Sequence, residues 1–314
     1  MSKVAVIGAG QVGSTTAMRV AERGIADVSL IDIYGDLARG KALDIAQALP
    51  LTDSSSRVEG GSDYRLAAGS DVVVVTAGFP RAPGMSRSDL LEKNAAVVRE
   101  VVERACAAAP DAVLIMVTNP LDEMTRLAWK VTGWERSRVM GMAGLLDGSR
   151  LASFAAAELG VPPGQVQPVV LGSHGEAMLP LPRLTSVAGV PLSELLPPER
   201  LEALNARTRD GGAEIVSLLK QGSAYYAPSA CVARMVRAVL MDEDMQVVAS
   251  VRLEGEYGLD DVFLGVPVIL GWGGWKRVVE LPLHPEERGE LEACAAMLRE
   301  RAEMLDEWLS GSSA

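Results

Sequence analysis

The stretch Val4-Ala5-Val6-Ile7-Gly8-Ala9-Gly10-Gln11-Val12-Gly13 joins an apolar, β-branched run to three glycines and then to helical spacing. Residues 4–7 read as a buried strand and residues 12–23 as the helix that follows it. Between them Gly8, Gly10 and Gly13 match G-x-G-x-x-G in the one context where that motif has a mechanism. The first glycine permits a tight turn, the second lets a pyrophosphate approach the backbone beside Gln11 and Val12, and the third lets helix and strand pack closely. The helix N-terminus then offers unpaired N–H groups and the positive end of its dipole to the phosphates. Asp32 ends the next strand in Leu30-Ile31-Asp32-Ile33, about 20 residues on, where a carboxylate accepts bonds from the adenosine ribose. It also repels a 2′-phosphate, and no arginine directly follows it. NAD is therefore favoured over NADP, with FAD the remaining dinucleotide alternative.

Outward from this motif, β-rich runs at 28–31, 72–76 and 113–117 alternate with helical spacing at 36–48 and 88–109. That alternation predicts a Rossmann-type, doubly wound parallel sheet with crossover helices on both faces. Beyond residue 145 the pattern changes to strands separated by short turns, at 166–171, 246–253 and 266–270, with helices through 159 and at 198–220, 228–241 and 285–309. The expectation is an α/β chain of two domains: a dinucleotide-binding domain over 1–143, then an α+β domain with a mixed or antiparallel sheet over 144–314. A chain of 314 residues and 33.2 kDa is long enough for both.

Composition narrows the function classes. The net charge of -11 and pI near 4.9 argue against nucleic-acid or anionic-membrane binding, both of which need a basic surface. An anionic substrate would need a local cluster of arginines to overcome that field. Cys106, Cys231 and Cys294 are odd in number and follow no CxxC spacing, so they read as reduced core thiols, with neither a disulfide framework nor a metal site. No secretory pattern opens the chain and no apolar run is long enough to span a bilayer, which makes the cytoplasm the expected location.

Of the two histidines, His174 lies in Gly172-Ser173-His174-Gly175-Glu176, a small-residue loop after a predicted strand, whereas His284 opens the last helix between Leu283 and Pro285. His174 is the candidate proton carrier. That loop is one of four segments through which essentially the whole chain resembles the lactate/malate dehydrogenase family, and within it the malate-oxidising branch that is similar to lactate dehydrogenases. The others are Gly78-Phe79-Pro80-Arg81-Ala82-Pro83-Gly84-Met85-Ser86-Arg87, Val117-Thr118-Asn119-Pro120 and Gly144-Leu145-Leu146-Asp147-Gly148-Ser149-Arg150.

The resemblance implies a set of roles. His174 matches the acid/base, and Asp147 the carboxylate that fixes its tautomer and raises its pKa, although an aspartate before Gly148 also suits a helix N-cap. Arg150, one helical turn on, matches the residue that grips the substrate carboxylate. Arg87 matches the group that polarises the carbonyl, and Asn119 the one that bonds the reacting oxygen and the nicotinamide ribose. Asn94 and Val117 match further cofactor contacts. Arg81 would pair with the second carboxylate of malate or oxaloacetate, since with pyruvate its guanidinium would be left buried without a partner, at a cost of several kcal/mol. Residues 81–87 would form a lid, and Gly222-Ser223-Ala224-Tyr225-Tyr226-Ala227-Pro228 resembles a wall of the substrate pocket. A homo-oligomer is also implied, a tetramer rather than a dimer. Ser173, Glu176 and Gly148 depart from the common pattern of glycine, aspartate and serine at these places. The rival readings are a lactate or other 2-hydroxyacid dehydrogenase and a non-catalytic NAD-binding module.

Overall fold

The structure is a computed structural model that describes residues 1–80, 87–175 and 177–311, apart from the side chains of residues 87, 88, 308, 310 and 311. The glycine-motif strand is β1 (Lys3–Ile7), followed by α1 (Gln11–Glu22), β2 (Asp27–Ile31), α2 (Gly35–Ala48) and β3 (Val58–Gly61). Next come β4 (Val72–Val75), α3 (Arg87–Ala108), β5 (Val113–Met116), α4 (Leu121–Thr132) and β6 (Val139–Gly141). These strands lie parallel in the order β3-β2-β1-β4-β5-β6, the doubly wound arrangement. Because both faces are covered, side chains alternate between two cores. Val4, Val6, Val72 and Val74 face one, Ala5, Ile7, Val73 and Val75 the other, and all are buried. The expected strands and helices of this half are present within a residue or two.

The second half begins with α5 (Gly144–Leu159), β7 (Val166–Gln167), β8 (Val170–Gly172), β9 (Met178–Pro180), β10 (Ser186–Val187) and β11 (Val190–Pro191). It continues through α6 (Leu192–Leu195), α7 (Pro198–Leu219), α8 (Tyr226–Leu240), β12 (Met245–Glu254), β13 (Asp260–Gly271), β14 (Gly274–Val278) and α9 (Pro285–Gly311). Its main strands are antiparallel, as the turn spacing suggests. They do not form a separate sheet. A Ser250–Gly141 pairing of β12 with β6 carries the parallel half into the antiparallel half, giving one sheet of 11 strands among the described residues. Gly141 permits that approach, since a Cβ there would sit 2.6 Å from Thr125 Oγ1 and 3.1 Å from Ser250 Cβ.

Three details differ from expectation. The run 166–171 is two strands: β7 pairs with β10 in a small three-stranded sheet, while β8 joins the large sheet. Pro168 separates them, having no N–H to give to a ladder. The helix expected at 228 starts at Tyr226, which places Pro228 in its first turn, where a missing N–H costs nothing. Helix α4 lies outside the expected elements although its sequence is amphipathic: Asp122, Glu123, Thr125 and Arg126 share one face opposite Leu121, Met124, Leu127 and Ala128, and that polar face is buried too.

Candidate active site

The first turn of α1 lies over the end of β1, and the three glycines have separable jobs. Gly8 has φ 107°, and a Cβ there would meet Thr76 Oγ1 at 2.7 Å. At Gly13 a Cβ would lie 1.8 Å from the Gly8 carbonyl oxygen, so helix and strand cross too closely for any side chain. Gly10 has nothing within 4 Å of its Cβ position, which is the open space an approaching phosphate needs. No side chain caps α1 at Gly10, leaving first-turn N–H groups available to an anion.

Asp32 faces this turn. Its Oδ2 accepts the Ala9 N–H at 2.6 Å and its Oδ1 the Tyr34 N–H at 2.9 Å, and a carboxylate keeps spare lone pairs for two hydroxyls. Lys41, from α2, donates to the Ala9 carbonyl at 2.7 Å. These residues fit the adenosine-diphosphate half of a dinucleotide. Asn94, expected at the cofactor, is fully buried, with its amide spent on the protein. It accepts from Phe79 N at 2.8 Å and donates to the carbonyls of Phe79 at 3.1 Å and Asn119 at 2.6 Å. Its part in the site is to hold those two residues.

Beyond the glycine turn lies a cavity of ≈ 310 Å³, lined by Val12, Val117, Asn119, Arg150, His174, Arg209, Ser223 and Ala224 among others. His174, in the loop between β8 and β9, places Nδ1 2.9 Å from Asp147 Oδ2. Asp147 is only 1% exposed and lies inside α5, whose N-cap is Ala143, so it is no capping residue. Its other oxygen accepts Arg150 Nη1 at 3.1 Å, joining base, carboxylate and arginine in one chain of bonds. Arg150 Nε is buried and has no partner among the described residues, which leaves the guanidinium a donor to spare.

The imidazole is tuned by opposing influences. Burial, the largest, disfavours its charged form; the charge and hydrogen bond of Asp147 favour it, Arg150 opposes, and Asp122 adds to the favourable side. The net result is a pKa raised above the ordinary 6.5. With Nδ1 committed to Asp147, Nε2 is the atom free to exchange a proton.

A turn for dinucleotide phosphates thus opens on a cavity with a carboxylate-held histidine and a half-buried arginine. Residues 2–141 match the family model described as lactate/malate dehydrogenase, NAD binding domain, and residues 145–307 match its alpha/beta C-terminal domain. The chain belongs to the lactate/malate dehydrogenase family. A malate dehydrogenase of Thermomicrobium roseum is 50% identical over 298 residues, covering 95% of this chain and 96% of its own. The solved malate dehydrogenase of Salinibacter ruber is 41% identical with a TM-score of 0.94, covering 99% of both chains. A lactate dehydrogenase of Cryptosporidium parvum, solved with lactic acid and the cofactor, is 38% identical with the same TM-score of 0.94, covering 97% and 98%. The family fold therefore serves both substrates.

Within the family frame, Arg81 and Glu176 lie outside the described residues, as does all but the last residue of the lid expected over 81–87, and only the backbone of Arg87 is described, opening α3. One of the two described departures has a structural reading. A Cβ at Gly148 would come within 3.2 Å of Pro168 Cγ, so glycine relieves crowding there; the main-chain N–H of Ser173 goes to Cys294 Sγ at 3.2 Å, a bond glycine would make equally, so the serine itself has no structural explanation. All three cysteines are free and buried, and burial pushes Cys106 and Cys231 up to about 12 and Cys294 up to about 11, which disfavours the thiolate at each.

Sequence reasoning missed several residues around the cavity. Arg209, which donates to the Met178 carbonyl at 3.3 Å, carried no local signal. Gly211 and Gly212 did: two glycines inside a long helix cost about 1 kcal/mol each and call for a reason. A Cβ at Gly211 would meet Arg150 Cδ at 3.1 Å and one at Gly212 would meet Arg150 Nη2 at 3.3 Å, so the pair makes room for Arg150.

Proposed function

We propose that this chain interconverts malate and oxaloacetate with NAD as cofactor, as an NAD-dependent malate dehydrogenase. The observation that carries the reading is the His174–Asp147–Arg150 chain of bonds at the cavity. When bound, NAD supplies the hydride acceptor. His174 exchanges the hydroxyl proton at Nε2, Asp147 stabilises the imidazolium that results, and Arg150 turns its guanidinium to a substrate carboxylate. The family resemblance assigns Asn119 and Arg87 to the reacting oxygen. Asp32, Gly8, Gly10, Gln11, Val12, Gly13 and Val117 hold the cofactor, Asn94 supporting them from behind.

The dicarboxylate specificity rests on the identity of residue 81 as arginine and on the relatives, whose names are those of malate dehydrogenases. We further assign the reaction to the tricarboxylic acid cycle in the cytoplasm, a reducing location consistent with three free thiols. The cofactor domain is taken to end at residue 143. The working form is a homotetramer, supported by apolar side chains left exposed on and around α2, among them Ile33, Tyr34, Leu43 and Leu51. A solution mass four times the chain's 33.2 kDa is the expected result, and a monomer at all dilutions would refute it.

The deciding assay follows NADH oxidation with oxaloacetate and with pyruvate, on wild type and on Arg81→Gln, with NADPH as control. Wild type should prefer oxaloacetate by at least ~100-fold, and the substitution should shrink that ratio. Equal or better use of pyruvate by wild type would move the chain to the lactate branch, and no turnover of either would leave an NAD-binding module.

A further inference from the structure

No step above uses Asp122. It stands in the first turn of α4, is 2% exposed, and has both oxygens engaged. Oδ2 accepts the main-chain N–H of His174 at 3.1 Å, and Oδ1 accepts the Ser250 hydroxyl at 2.7 Å. The preceding N–H, that of Ser173, goes to Cys294 Sγ at 3.2 Å from α9. The histidine loop is thus pinned through two consecutive main-chain donors, while Asp147 holds the imidazole. Ser250 in turn lies where β12 meets β6, so the loop is referred to the junction between the two halves of the sheet.

A neutral asparagine could accept the same N–H and reach the same hydroxyl, so a buried carboxylate here needs a further reason, because burying a charge is costly unless it is paired. The described cations nearby are engaged elsewhere. Arg126 on α4 bonds Asp261 of β13 and Asp306 of α9, and Arg301 of α9 bonds Glu123. On the other side of the loop, Arg150 of α5 bonds Asp147. The positive group left facing Asp122 is the imidazolium of His174.

We propose that Asp122 is a positioning residue for the dehydrogenase reaction: it fixes the main chain of His174 and supplies a second buried negative charge that favours the protonated imidazole. This rests on the function proposed above. Two directions of titration agree with the geometry. Asp122 lies among the groups that raise His174. Asp122 itself is pushed up to about 6, by burial first and by Glu123 second, while Ser250 and His174 hold it down. Its charge is present above that pH and lost below it.

The test uses the full chain with Asp122→Asn, which keeps size and acceptor while removing charge, and Ser250→Ala, which weakens the carboxylate from behind. With two histidines in the chain, proton NMR resolves both imidazoles, and His284→Asn assigns them. Asp122→Asn should lower the His174 midpoint by about 0.5–1 pH unit and leave that of His284 in place. Its kcat should fall ~10-fold, with NADH affinity and the KM for oxaloacetate changed less than about twofold. Ser250→Ala should move the midpoint the same way by less, and Ser250→Thr should restore it. An unmoved His174 midpoint in folded Asp122→Asn overturns the proposal. If that variant does not fold, an unmoved midpoint in Ser250→Ala does the same. Failure of wild type to turn over oxaloacetate would instead overturn the dehydrogenase reading, because the midpoint is read without turnover.

Discussion

Alanine at position 13 and alanine at position 10 should fail in opposite ways, although both break the same glycine motif. At Gly13 the new Cβ would sit 1.8 Å from the Gly8 carbonyl oxygen and 2.7 Å from Thr76 Oγ1. Both neighbours are held: Thr76 Oγ1 donates to Ile7 and Gly8, and Gly8 N–H bonds Ile31 O at 2.7 Å. Restoring an ordinary contact requires α1 to move by over 1 Å, against a buried face that includes Ala17, Val20 and Ala21. Overpacking of this kind costs roughly 3 kcal/mol. At roughly 2 °C per kcal/mol for a chain of this length, melting should fall by about 6 °C. At Gly10 the same methyl meets nothing within 4 Å, so Gly10→Ala should melt within about 1 °C of wild type. It occupies the space required by the pyrophosphate, however, and NADH affinity should fall ~10–100-fold, about 1.4–2.8 kcal/mol. Circular dichroism melts of the two variants and titration of NADH fluorescence separate the effects. Undiminished stability of Gly13→Ala, or wild-type NADH affinity in Gly10→Ala, would refute the reasoning.

Asp147→Asn removes the charge that most favours the His174 imidazolium, so the midpoint should fall and kcat should drop by ~10²–10⁴. Oxaloacetate reduction needs the protonated imidazole and therefore declines as pH rises through the raised pKa; in the variant that decline should begin at lower pH, and an unshifted pH–rate profile would contradict the assignment. Gly211→Ala should stabilise α7 by up to about 1 kcal/mol in thermal melts yet raise the KM for oxaloacetate ~3–10-fold, because its Cβ would stand 3.1 Å from Arg150 Cδ. An unchanged KM would mean that Arg150 yields freely.

How much was legible beforehand depended on separation along the chain. The glycine turn, its strand and its helix are one local unit, and their steric demands are written in ten consecutive residues. Asp147 and Arg150 lie one helical turn apart, so their proximity follows from helix geometry alone. His174 was recognisable as a residue but its bond to Asp147 spans 27 positions, and only the resemblance to a family joined them in advance. The N-cap alternative for Asp147 fails because α5 begins at Gly144, three residues earlier.

The sequence by itself therefore determined the alternating β and α pattern, the dinucleotide turn and the candidates for the proton carrier and the substrate-binding arginines. Tertiary structure alone decided that one sheet runs through both halves and that Pro168 divides β7 from β8. It also decided that Gly211 makes room for Arg150, and that Asp122 and Cys294, 52 and 121 positions from their partners, pin the histidine loop. The physical reason is that periodicity reports which face of an element is buried, whereas the neighbour it meets depends on strand order and helix packing. Those are set by the burial of the whole chain, and a buried carboxylate or a mid-helix glycine acquires its meaning only from what is packed against it.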